Sequence, residues 1–256
     1  MIRHDDEPPM MRTRGRDPGS SRLLGDWLCL DFVNTVDDRT GDNTVDTLTG
    51  YADLVRWGWH AWVLTEAERD QLLAAAEERP AEAAATFAEA IELREATYRV
   101  FAAIAGEETP AASDLAAIQA AHLTALGHAR LVQEDQRFAW VWDDEPMLDR
   151  MLWPIAMSAV ELLTSDRLDR VKQCPGCNDC GWLFLDVSKN GTRRWCSMEG
   201  CGSRAKMRRQ YARRKGGAVR LGGGPPLPDA HIIEIDGPRL SEERPHGRND
   251  DSSDAP

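Results

Sequence analysis

Five of the six cysteines in this 256-residue chain lie between Cys174 and Cys201, in "CPGCNDCGWLFLDVSKNGTRRWCSMEGC". Cys196 and Cys201 form one pair, with four residues between them, and Cys180 belongs to a second pair with either Cys174 or Cys177. Paired cysteines around a short linker are a metal-site pattern. The segment from Val171 to Lys215 is too small to be held by an apolar core alone. A tetrahedral zinc site built of four cysteines would stabilise it by on the order of 10–16 kcal/mol, as in zinc-finger peptides. The competing reading is redox chemistry, with the fifth thiol exchanging against a bound one. A closed four-cysteine site leaves no position for water or substrate, which argues against a zinc hydrolase. The histidines stand singly along the chain, and none falls between Cys174 and Lys215.

Between the cysteine pairs, Asn190-Gly191 is a strong hairpin signal, because a type I′ turn needs positive φ at both central residues. Trp182, Phe184 and Trp195 flank it on strand-like runs. After Cys201 the chain is rich in helix formers. The predicted order is knuckle, β-hairpin, cysteine pair, helix, a treble-clef-like finger. Charge follows the same division. The stretch from Val171 to Arg220 carries twelve Lys/Arg against three acids, or +9, which leaves −21 for the rest of a chain whose net charge is −12.

The remainder reads as mainly helical. "TEAERDQLL" opens with a capping box from Thr65 to Glu68. A long helix begins near Pro80 and ends at Gly106, and Ser113 is expected to cap the next one. "RLVQEDQRFAWVWDD" alternates around a charged centre and predicts a small β-hairpin, after which "MLDRMLWPIAMSAVELL" is helical again. Trp27, Trp57, Trp59, Trp62, Trp140, Trp142 and Trp153 are read as mostly core residues. The expected organisation is a disordered arm over 1–22, a helical domain over 23–168, the finger over 171–215 and a Gly/Pro/acidic tail over 216–256. With no apolar run of ~20 residues and no apolar leader, a cytoplasmic protein without a membrane partner is expected.

The residues "CGWLFLD.S.NG.RRWCSM..CG.R.K.RR", over Cys180–Arg209, resemble the CGNR-type zinc finger of bacterial proteins. In those proteins an ABATE domain, described as a stress-induced transcription regulator domain, precedes the finger. "LCLDFVNTVDDR" (Leu28–Arg39), "LREATYRVFAAIA" and "WPIAMSAVELL" resemble that domain too. Two departures stand out. Ser203 replaces the asparagine of the naming motif; both are N-cap residues, so the exchange keeps the capping chemistry. The family usually has four residues between the first two ligand cysteines, which places Cys174 nearer the family position, whereas Cys177 forms the tighter knuckle with Cys180.

The expected zinc ligands are therefore Cys174 (or Cys177), Cys180, Cys196 and Cys201. The expected partner is DNA, met by Arg193, Arg194, Arg204, Lys206, Arg208, Arg209, Arg213, Arg214 and Lys215, because clustered cations release counterions from phosphates. The resemblance implies the same partner. The alternative is a zinc-stabilised adaptor for RNA or a protein. In the helical domain Asp31, Asn34 and Arg94 sit inside apolar runs and are candidate contacts to a small-molecule signal. Cys29 beside them is read as packing. With no nucleophile–base pair, phosphate loop or open metal position, no enzymatic activity is expected.

Overall fold

The computed structural model describes residues 23–218 apart from 42–43, 135, 144–146 and 177–179. The predicted arm, the tail from 219 onward and Cys177 lie outside the described residues. The architecture is mainly α. Helices α1 (Leu28–Val33), α2 (Tyr51–His60), α3 (Glu66–Glu78), α4 (Pro80–Ala105), α5 (Ala112–Gly127) and α6 (Leu152–Leu163) precede the cysteine region, and α7 (Ser203–Ala218) follows it. Three two-stranded antiparallel ribbons complete the described part: β1 (Val36–Asp37) with β2 (Val45–Asp46), β3 (Ala129–Glu134) with β4 (Arg137–Trp142), and β5 (Val171–Gln173) with β6 (Leu183–Leu185). No helix among the described residues is long and apolar enough to cross a membrane.

Local signals set most helix limits. Thr65 Oγ1 accepts from the Glu68 amide while the Glu68 carboxylate accepts from the Thr65 amide, a complete capping box. Pro80 stands at the first position of α4, where a missing N–H costs nothing, and Gly106 ends it. Ser113 is not the cap of α5. The helix begins at Ala112 behind an extended Ala111, so Ser113 already lies inside its first turn.

The core gathers α1 against α4 and α6. α1 is only six residues long and almost wholly buried, with Cys29, Leu30, Phe32 and Val33 inaccessible to solvent. So short a helix is marginal by propensity and persists through tertiary packing. Of the seven tryptophans read as core, Trp27, Trp57 and Trp153 are buried, and Trp142 tilts onto Trp153 with ring centroids 5.7 Å apart. Trp59, Trp62 and Trp140 are exposed, so four of the seven are in or against the core.

The strand β6 joins the cysteine region to this core. Successive strand residues point to opposite faces. Leu183 and Leu185 belong to the helical core with Val171, whereas Trp182 and Phe184 pack among the cysteines. A strand buried on both faces reads as the continuous apolar run "WLFL". Its free edge is closed by the helical region: Asn34 donates to the Leu183 carbonyl at 2.7 Å and accepts from its amide at 2.9 Å. One step along, the Leu185 amide donates to the Gly25 carbonyl at 2.8 Å. Asn34 and Gly25 thus serve as a third strand for β6.

Candidate metal centre

The sulfur atoms of Cys174, Cys180, Cys196 and Cys201 all lie within 4.8 Å of one another, and all four residues are buried. None is in a disulfide. Thiolates held at about 2.3 Å around a tetrahedral ion stand roughly 3.8 Å apart. The Cys180–Cys196 and Cys196–Cys201 separations are both 3.7 Å, so the donor set fits zinc in number, chemistry and spacing. Four thiols this close cannot all ionise without a cation between them. Cys180 and Cys196 donate to Cys174 and push its pKa down, while their bonds to Cys174 push their own up. The Arg204 guanidinium lies 3.3 Å from the Cys201 sulfur and offsets its charge.

The surrounding backbone departs from the hairpin expected at Asn190-Gly191. Only Gly191 of that pair has positive φ, +62°, so the turn is not type I′. The Gly191 amide donates to the Ser188 carbonyl at 3.2 Å, closing a four-residue turn. Among the described residues no strand follows it, and β6 pairs instead with β5 across the knuckle, in the register Lys172 to Phe184. The physical reason is Asp186. Its carboxylate is inaccessible to solvent and accepts from the Ser188 amide at 3.0 Å, the Arg193 amide at 3.0 Å and Lys172 Nζ at 2.6 Å. Those bonds fold residues 186–193 into a loop around the side chain. Burial opposes ionisation of Asp186, but Lys172 and Ser188 outweigh it and hold its pKa at about 2. The sequence reading missed Asp186; its signal is an acid ending an apolar run two residues before a serine, a turn-forming pattern.

Two further contacts join the knuckle to the helical region. Gly181 has φ +65°, and a Cβ there would stand 3.0 Å from Thr40 Cγ2 and 3.1 Å from Arg39 Cβ, so glycine meets both a conformational and a steric need. The indole of Trp182 donates to the Val36 carbonyl at 2.9 Å.

The helix cap also differs from expectation. Ser203 is helical, and its hydroxyl donates to the Met198 carbonyl at 3.0 Å. Ser197 does the capping, accepting from the Gly200 amide at the start of a π-helical turn over Met198–Gly202 that carries Cys201.

A family profile named ABATE and described as "Putative stress-induced transcription regulator" matches residues 26–166, more than half of the 256 residues. The chain belongs to that family. Directly behind the ABATE match, the CGNR zinc finger profile covers residues 170–214, with the four clustered cysteines inside it. The finger's cofactor is zinc. No curated protein matches the chain. The families and the cysteine cluster identify a zinc-binding protein of regulator type and point away from an enzyme.

Within the ABATE region the three candidate ligand contacts turn to separate protein partners. Asp31 accepts from the Gly25 amide at 2.7 Å, and burial pushes its pKa up to about 7. Asn34 is occupied by Leu183. Arg94 forks onto Asp46 at 2.8 and 2.6 Å and bonds the Thr35 hydroxyl. They do not converge on one cavity. Of the three, Asn34 alone also borders a cleft of about 470 Å³ between the β1–β2 ribbon and the finger, whose walls further include Asp37, Asp38, Thr47, Ser197 and Arg204.

The basic candidates divide into two groups. Arg193 turns inward: it pairs with Asp26, bonds the carbonyls of Leu24, Leu185 and Cys196, and lies over the Phe184 ring at 4.4 Å. It joins the finger to the start of the ABATE region. Arg194 is exposed beside Trp195. Among the described side chains of α7 only Ala205 packs back, and every residue from Lys206 to Arg214 is exposed, five of them Arg or Lys. Met207 and Tyr211 are 63% and 62% exposed, so the helix leaves the body after its first turn. Lys215 continues the helix.

Proposed function

We propose that the protein is a DNA-binding transcriptional regulator in which zinc, held by Cys174, Cys180, Cys196 and Cys201, fixes the base of α7 and α7 meets the duplex. The observation that carries this reading is a helix anchored at the metal site, solvent-exposed from Lys206 to Arg214, and positive along that length within an otherwise acidic chain. Local charge decides which surface meets an anionic partner. Lys206, Arg208, Arg209, Arg213, Arg214 and Arg194 are the phosphate and base contacts in this reading. Arg204 stays with the Cys201 sulfur and Arg193 with Asp26. The ABATE region, over 23–168, is the input side, and its signal reaches the finger through the backbone bonds that close the edge of β6.

Fluorescence anisotropy of the zinc-loaded protein on duplex DNA at a series of salt concentrations tests the reading. About six phosphate contacts give a log–log salt slope near −5. Arg208→Ala with Arg213→Ala reduces that slope by about 2. An affinity for duplex that does not respond to salt, or tighter binding to RNA of equal length, removes the regulator reading and favours the adaptor.

A further inference from the structure

Two consecutive elements of the acidic body, α5 and the β3–β4 ribbon behind it, each leave large apolar side chains uncovered. Helix α5 carries a single charged side chain in its sixteen residues, Asp114, and Arg99 neutralises it through two bonds of 2.9 and 2.6 Å. A helix so poor in charge is normally covered on most sides. Ile118 and Ala125 face the core, yet Leu115, Leu123 and Leu126 lie exposed on the same helix.

The chain then enters the β3–β4 ribbon, which repeats the pattern. Directly paired residues share a face, so Leu131 with Trp140, Gln133 with Phe138, and Ala129 with Trp142 stand on one side. At the base of that side Trp142 rests on Trp153. Further out no described residue covers it, and Leu131, Phe138 and Trp140 are 58%, 68% and 53% exposed. The opposite side carries the charges, Arg130 paired with Asp143, and Arg137. The ribbon is therefore amphipathic with its apolar side uncovered. A two-stranded ribbon is marginal without such cover.

We infer that this face, formed by Leu115, Leu123 and Leu126 of α5 and Leu131, Phe138 and Trp140 of the ribbon, is the contact surface between two copies of this chain. Two quantities favour a second copy as its occupant. At roughly 200 Å² for a large side chain fully exposed, the six residues present on the order of 600 Å² of apolar surface. That is at the top of the range of about 300–600 Å² for the largest patch on a typical monomer, and about three quarters of the ~800 Å² that each partner of a standard interface buries. Charge is the second. Outside the finger segment the chain carries −21, so the acidic bodies of two copies meet with least repulsion where charge is absent. This inference does not depend on DNA binding.

Sedimentation velocity on the zinc-loaded full-length protein between about 1 and 100 µM tests it. The wild type is expected to sediment as a dimer over the upper part of that range. Phe138→Asp with Trp140→Ser is expected to raise the dissociation constant on the order of 100-fold, with circular dichroism and melting temperature preserved because both side chains are exposed. Leu123→Glu on α5 acts in the same direction, whereas Trp62→Ser, 76% exposed but outside this face, changes nothing. A wild type that stays monomeric throughout overturns the inference, including the case in which residues 219–256 crosslink to the ribbon and cover it internally. A dimer unmoved by the ribbon and α5 substitutions overturns it as well.

Discussion

Replacing Asn34 by alanine tests whether the finger and the ABATE region share one core. The Asn34 amide satisfies both backbone groups of Leu183, at 2.7 and 2.9 Å, and the site is buried. Truncation leaves one N–H and one C=O without partners where water cannot replace them. Each such group costs about 1–3 kcal/mol, so the expected loss is about 2–6 kcal/mol, a large fraction of the roughly 5–15 kcal/mol typical of a domain. Asn34→Asp is expected to do at least as badly, because its carboxylate faces the Leu183 carbonyl. The assay is urea unfolding of the zinc-loaded protein, followed in parallel by far-UV circular dichroism, which reports α1–α6, and by a chromogenic chelator, which reports zinc release. Both signals are expected to shift together to lower urea, since Leu183 and Leu185 sit in the helical core and Trp182 and Phe184 sit at the cysteines. If zinc release moves and the helical transition does not, the finger is an appended module and this reasoning fails. A shift below about 0.5 kcal/mol in both, the scatter of an ordinary surface substitution, would equally refute it.

Asp31 gives the protein a pH dependence of definite sign. Its folded-state pKa, about 7, lies above the ordinary carboxylate value because of burial. Its contribution is therefore complete below about pH 4 and is lost as pH rises through about 7, at a cost approaching about 4 kcal/mol. Between about pH 5 and pH 8 the wild type should lose stability, and Asp31→Asn, which keeps an acceptor for the Gly25 amide, should lose less; parallel urea midpoints for the two proteins would contradict the assignment. Gly181→Ala forces a side chain into φ +65° and against Thr40 and Arg39. A left-handed non-glycine costs about 1–2 kcal/mol and overpacking about 1–3 kcal/mol, so a melting point unchanged from wild type would show that this approach of knuckle and helical region does not persist in solution.

What could be read in advance was short in range. The capping box at Thr65 and Glu68, the limits of α4, the β3–β4 hairpin and the crowding of thiols within 28 residues each depend on neighbours a few positions apart. The zinc site and the positive helix behind it belong to the same class, because metal ligands and local charge are properties of residue type and spacing. The strand β6 does not. Its partners are β5 across the knuckle and Asn34 and Gly25, which lie about 150 residues away in sequence. The Asn190-Gly191 turn signal was overridden once Asp186 was buried with four donors around it.

The same distinction applies to the polar residues. Asp31, Asn34 and Arg94 stand in apolar runs, and from composition alone a buried polar group waiting for a ligand looks the same as one already paired. Arg193 and Arg194 are neighbours with identical side chains, yet the fold turns one onto Asp26 and the Cys196 carbonyl and leaves the other in solvent. Residue chemistry and spacing determined that this chain binds a metal through thiolates and carries its positive charge on one helix. Which cations reach a partner, and which surface is left uncovered at α5 and the ribbon, was decided only by tertiary packing, because exposure depends on what the rest of the chain places over each side chain.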